Sequence, residues 1–255
     1  MNTKECITFL ENGTISLKSI AEQWEDGWNP EQEDPALLHD NYIKCLVSCY
    51  VSKYADLSTS IIHAVKSENY FAYALAGRAL IEITATLHYY INSQYIPLLS
   101  KDVLTVEDMN KLIEISDKHL RGGRFDWATF LERDFDKMRE DVRLKIKNKG
   151  KAPDTDSLLK KQVNVVTCLN KWAKQTPEVM IAYDLFCDLV HPNIGSSFLV
   201  ASVSKDGLFF TKNKGEQIGK QVVDETFVLL LSIAHREFGE LIQTLLLMAG
   251  SVKEK

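Results

Sequence analysis

The stretch that decides the fold is FAYALAGRALIEITATLHYYIN, Phe71 to Asn92. Its spacing is helical, and apart from His88 its only ionisable side chains before the tyrosine pair at its end are Arg78, Glu82 and Tyr73. A helix that is apolar on most sides belongs at the centre of a bundle. Working outward, the neighbouring segments read as helices too. Asp34-Pro35 couples an N-cap residue to a proline at the first helical position, which predicts a helix from Ala36 to about Ser67. Leu38, Tyr42, Cys45, Cys49 and Leu57 supply its apolar face. Downstream, Pro97 closes the central region. Thr105 to Asp108 forms a capping box with Asp in place of Glu, opening a helix to about Leu120. Arg121-Gly-Gly-Arg124 reads as a tight loop. Asp126 caps a helix to about Lys147, stopped by Gly150. Asp154 or Thr155 opens another, to about Lys174. Thr176-Pro177-Glu178 opens the one that ends at His191, and a last helix runs from about Gln221 to Met248, with Gly250 just past it.

The period changes once. SFLVASV and LFFTK alternate and are joined by Ser204-Lys-Asp-Gly207, the pattern of a hairpin. The fold class is therefore all-α, a helical bundle at 36–250 with one β-hairpin inserted before the last long helix. Residues 1–35, with two tryptophans and an acidic run, read as a small appended element.

Composition narrows the function classes. The 255 residues are 45% hydrophobic and 25% charged, a foldable globular mixture. Net charge is −5, which does not mark the whole chain as a nucleic-acid binder. Charge is uneven, however. Residues 1–40 hold two lysines against nine acids, whereas residues 137–151 hold seven basic residues against two acids. That basic stripe is either a solvated helix face or a contact for a phosphate backbone. The five cysteines are scattered with no CxxC pair, the usage of a reduced, cytoplasmic protein. The longest apolar run, Phe227 to His235, is cut by Arg236 and Glu237 and is too short for ~30 Å of hydrocarbon, so no membrane association is expected. Phosphate-loop, dinucleotide-binding, zinc-protease and serine-hydrolase signatures are all missing.

Four sets of residues could carry chemistry. In YDLFCDLVHPN, Tyr183 to Asn193, residues Asp184, Asp188 and His191 share one helix face. Pro192 forces His191 into extended backbone and ends the helix. The helix dipole and the acids behind it favour a cation at that end. His191 is then either a C-terminal cap with a surface ion pair or an acid–base group. Arg78 and Glu82 stand at i, i+4. They form either an ion pair that fixes the bundle's register, or an arginine held by its glutamate for an anionic ligand. Arg121 and Arg124 lie in a basic loop that either is plain surface or closes over an anion. Cys187 and His191 at i, i+4 could make a thiolate nucleophile or half a zinc site, but no second Cys/His pair stands nearby. Cys45 and Cys49 read the same way. His63, His88, His119 and His235 lack ligand spacing.

GRALIE on an early helix and Tyr183-x3-Cys187-x3-His191-Pro192 on a late one, followed by a short β excursion and a long final helix, resemble the HEPN superfamily of helical bundles. The resemblance covers the layout from roughly Leu37 to Met248 and rests on these two motifs. It implies a metal-independent RNase or nucleotide-binding effector of a bacterial phage-defence or toxin–antitoxin system, without cofactor. It further implies a homodimer whose motifs meet and a partner protein such as an antitoxin. That family has an arginine separated from its histidine by four to six residues on one helix. Here residues 184–187 are Asp-Leu-Phe-Cys, so the arginine must come from elsewhere, and Arg78 is the candidate. In that scheme His191 takes the 2′-OH proton, Arg78 steadies the phosphorane charge and Glu82 orients Arg78. Asn193, Tyr183, Asp188, Arg121 and Arg124 would contact substrate. The rival is a non-catalytic interaction module, in which Arg78, Glu82 and His191 only specify packing.

Overall fold

The computed structural model describes residues 1–22, 34–101, 104–122, 127–147, 163–199, 201–204, 207–212 and 215–249. The architecture is an all-α bundle built around two helices, α2 (Pro35–Lys66) and α3 (Tyr70–His88). Asp34 caps α2, its side chain accepting from Ala36 N at 2.8 Å, and Pro35 takes the first turn, where its missing N–H leaves nothing unsatisfied. α1 (Thr3–Glu22) lies along α2 and places Cys6, Leu10 and Leu17 in the common core. The first 22 residues therefore contribute to the same hydrophobic interior as the rest.

The helix expected to stop at Pro97 continues. Seven residues, Tyr89–Tyr95, are wound as a π-helix, and α4 (Ile96–Leu99) follows with Pro97 in its own first turn. Pro97 has no N–H to add to this ladder, yet the helical path continues past it with that one bond missing. α5 (Val106–Arg121) begins with the reciprocal Thr105–Asp108 capping box and packs on α2. The single helix expected up to Lys147 is two, α6 (Trp127–Leu131) and α7 (Phe135–Lys147). Arg133 takes a φ of 59° between them, and Asp134 then accepts from Lys137 N at 3.0 Å to restart the helix. α8 (Val165–Trp172) is capped by Asn164 rather than by a residue near 154. Asp126, Gly150, Asp154, Thr155 and Gly250 lie outside the described residues.

α8 and α9 (Glu178–Val190) both pack on α3. A short α10 (Ile194–Phe198) follows. Two brief strands, β1 (Ala201–Ser204) and β2 (Gly207–Lys212), then pair antiparallel, Ala201 opposite Lys212 and Ser204 opposite Gly207. α11 (Gly215–Leu230), a π-helical turn at Leu231–His235 and α12 (Arg236–Met248) form one path that closes the bundle against α1, α2 and α3.

The core holds several tyrosines, and their hydroxyls are matched to partners. Tyr54 meets His235 Nδ1 at 3.0 Å, Tyr73 meets Thr226 Oγ1 at 2.9 Å, and Tyr90 meets Ser116 Oγ at 2.7 Å. Tyr95 bonds His39 Nε2. A buried hydroxyl left without a partner costs about 1–3 kcal/mol, so these bonds favour the helix pairings that supply one. No described helix is long and apolar enough to cross a membrane.

Candidate functional site

The site is set by how closely α3 and α9 approach. Gly77 has no side chain, and a Cβ there would lie 2.6 Å from the ring of Phe186, which is buried. The absence of that atom lets the two helices close down. Arg78, the next residue, sits at the rim of this contact. Its Nε donates to Glu82 Oε1 at 2.9 Å, one turn along α3. The same oxygen accepts from Tyr183 Oη of α9 at 3.2 Å. Arg78 Cζ lies 5.7 Å from the centre of the Tyr183 ring, within reach of a cation–π attraction. One glutamate oxygen thus ties an arginine of its own helix to a tyrosine of the next.

The electrostatics follow from partial burial. Burial disfavours the charge on Arg78, but the hydrogen bond and the negative charge of Glu82 outweigh it and hold its pKa above the ordinary value. Burial, a hydrogen bond with Cys187 and the Glu82 carboxylate push Tyr183 up to about 12. Tyr183 is therefore a proton donor throughout the physiological range, as its bond to Glu82 requires. The arginine's side chain is 28% exposed. Its bond to Glu82 uses Nε, the inner edge of the fork, while the terminal N–H groups are the ones that suit a phosphate.

His191 follows Cys187 by one turn. α9 ends at Val190, and His191 is its C-cap, with φ −75° and ψ 150° and its N–H bonded to Cys187 O at 3.0 Å. This is the extended geometry that a following proline imposes. The imidazole is exposed. Among the described residues no hydrogen bond or ion pair joins it to Arg78 or to any other side chain. Asn193 and Asp188 meet each other, Asn193 Nδ2 donating to Asp188 Oδ1 at 2.6 Å. The arrangement therefore brings together Arg78, Glu82 and Tyr183 as one cluster, and Asp188 and Asn193 as another beside His191. Arg124 and the side chain of Arg121 lie outside the described residues.

Gly77, Phe186 and Gly195 enter this geometry although their sequence positions announced no role beyond packing, and Cys187 enters it through a hydrogen bond with Tyr183. A glycine inside a strongly helical run was the available signal for Gly77, since it costs helix stability unless close packing needs it. Four of the other histidines are engaged elsewhere: His119 Nε2 meets Gln94 Oε1 at 2.8 Å, His88 Nε2 lies 3.6 Å from Glu237 Oε1, and His39 and His235 bond the tyrosines named above. All five cysteines are free thiols. Among the described residues no group of three or more His, Cys, Asp or Glu side chains could hold a metal ion. Compared with protein-family models, with curated proteins and with solved structures, the chain matches none.

Proposed function

We propose that the chain is a HEPN-like bundle acting on RNA, as a metal-independent endoribonuclease or nucleotide-binding effector of a bacterial phage-defence or toxin–antitoxin system. It would work as a homodimer, under the control of a partner protein. The observation that carries the reading is the partly exposed Arg78, held from behind by Glu82 and Tyr183, with an exposed imidazole one turn beyond its α9 neighbour Cys187. Arg78 would bind the scissile phosphate and stabilise the charge of the phosphorane. His191 would take the proton from the ribose 2′-OH as that oxygen attacks phosphorus, and the P–O5′ bond would break with the 5′-oxygen leaving as an alcohol, its proton supplied by solvent water. The immediate products are a 2′,3′-cyclic phosphate and a 5′-hydroxyl end.

The test is incubation of the purified chain with single-stranded RNA in the presence of a chelator, with end-group analysis of the fragments. Wild type is expected to give cyclic-phosphate ends. His191→Ala should lower the rate by roughly 10²- to 10⁴-fold, the contribution of an acid–base group, with little change in melting temperature. A second reading is favoured by the Glu82 oxygen shared between α3 and α9, which is also what a packing tie would show. On that reading no RNA is cleaved by any form, and Arg78→Ala lowers the melting temperature without affecting any activity. Intact RNA with wild-type protein, together with unimpaired growth of cells expressing it, would displace the RNase reading in favour of the packing module.

A further inference from the structure

Proline at 192 explains why α9 stops but not which way the chain then turns. The direction is set by bonds that bracket the proline. Asn193 Nδ2 donates to Asp188 Oδ1 at 2.6 Å, reaching back to the last turn of α9. The other end of the same amide, Asn193 Oδ1, accepts from Ser196 N at 3.2 Å and opens α10. Asn193 N–H faces His191 O at 2.7 Å and Ser196 Oγ at 3.3 Å. Gly195 completes the arrangement, because any Cβ at 195 would collide with the Asp188 carboxylate. Both ends of the Asn193 amide are thus occupied by the chain itself.

We propose that Asp188 and Asn193 are positioning residues: their clasp across Pro192, which Gly195 makes room for, fixes the direction in which the His191 imidazole leaves the end of α9. The proposal rests on the reading of His191 as the acid–base group, and it assigns that group's orientation to a hydrogen bond His191 does not itself make. An exposed ring on a free chain end would sample many directions, whereas a general base must hold within hydrogen-bond reach of its proton. Fixing the backbone on both sides of His191 sets its Cα–Cβ direction and narrows the χ1 rotamers open to the ring, without burying it.

Exchanging donor and acceptor tests it. Asn193→Asp sets carboxylate against carboxylate and opens the clasp. The double variant Asp188→Asn/Asn193→Asp closes it again with the roles reversed, since aspartate still caps α10. The readouts are the χ1-dependent NMR couplings and the ring titration of His191, together with RNA cleavage. Asn193→Asp should displace both NMR measures and lower cleavage by roughly tenfold to a hundredfold, the effect of a misplaced reacting group. The double variant should return all three towards wild type, an outcome that general loosening would not produce. Should Asn193→Asp not fold, Asp188→Ala, which removes the bond without adding repulsion, takes its place. The idea is overturned if the His191 couplings in the opened variant equal those of wild type. It is also overturned if they stay displaced in a double variant with a native circular-dichroism spectrum. If wild type cleaves no RNA, the couplings still decide the clasp, and the failure belongs to the RNase reading alone. If cleavage persists at the wild-type rate in Asn193→Asp, the clasp fails and the RNase reading stands.

Discussion

Gly77 shows how one absent atom can set a site. In the middle of α3 a glycine lowers helix stability, and replacing it with alanine would ordinarily gain about 1 kcal/mol. Here the new methyl group would press on the buried Phe186 ring, an overpacking that costs about 1–3 kcal/mol. Gly77→Ala is therefore expected to lower stability by roughly 1 kcal/mol net, read as a lower urea midpoint with an unchanged slope. A more stable variant would show that α3 and α9 can move apart freely. Part of this was legible from sequence: Arg78 and Glu82 at i, i+4 announce an ion pair, and it forms. What joins them was not. Tyr183 lies 101 residues beyond Glu82, and nothing in a helical period says which tyrosine of a distant helix will face a given glutamate.

Local rules governed the elements where the signal was chemical and short. Asp34-Pro35, the Thr105–Asp108 box and Pro192 each act within one turn, and each marks a boundary that the structure reproduces to within a residue. The same reasoning yields a prediction for α3, whose N-cap Asn69 accepts from Ala72 N at 3.1 Å. Asn69→Ala should cost about 1 kcal/mol of stability, measured by thermal melting. It should leave the Arg78–Glu82 contact intact, since the cap lies two turns away. An unchanged melting temperature would mean that packing alone holds the start of α3. The elements that escaped the sequence are those in which a rule is locally contravened. The π-helical turns at Tyr89–Tyr95 and Leu231–His235 keep a helical period but shift the face presented afterwards. The shift has a visible use, because it delivers Tyr95 to His39 and His235 to Tyr54. Arg133 likewise breaks α6 from α7 with a backbone angle that its side chain does not advertise.

Across the whole molecule, buried histidines couple the fold to pH. Burial lowers His39 from 6.5 to about 4, and burial with the nearby Lys118 charge does the same for His119. Burial also lowers His88 and His235. The folded chain therefore takes up these protons at lower pH than the unfolded chain, which begins to bind them near pH 6.5. The unfolded state therefore takes up more protons on acidification, and stability falls as pH drops from about 6.5 towards 4. Glu237, raised by burial and by Glu240, acts in the opposite sense, but one carboxyl stands against four imidazoles. Urea midpoints should be level above pH 7, then decline steeply between pH 6.5 and 4. A midpoint that does not move over that interval would mean the four rings are not held neutral. Periodicity, caps and proline sterics act over a few residues, and they were enough to read the all-α class, the central place of Phe71–Asn92 and the end of α9 at His191-Pro192. The place of α1 in the common core, the meeting of Tyr183 with Glu82 and the bond between Asp188 and Asn193 across Pro192 came from three-dimensional packing alone. Those outcomes depend on which surfaces pack closest, and that is settled by volume and hydrogen-bond satisfaction across the whole interior rather than along the chain.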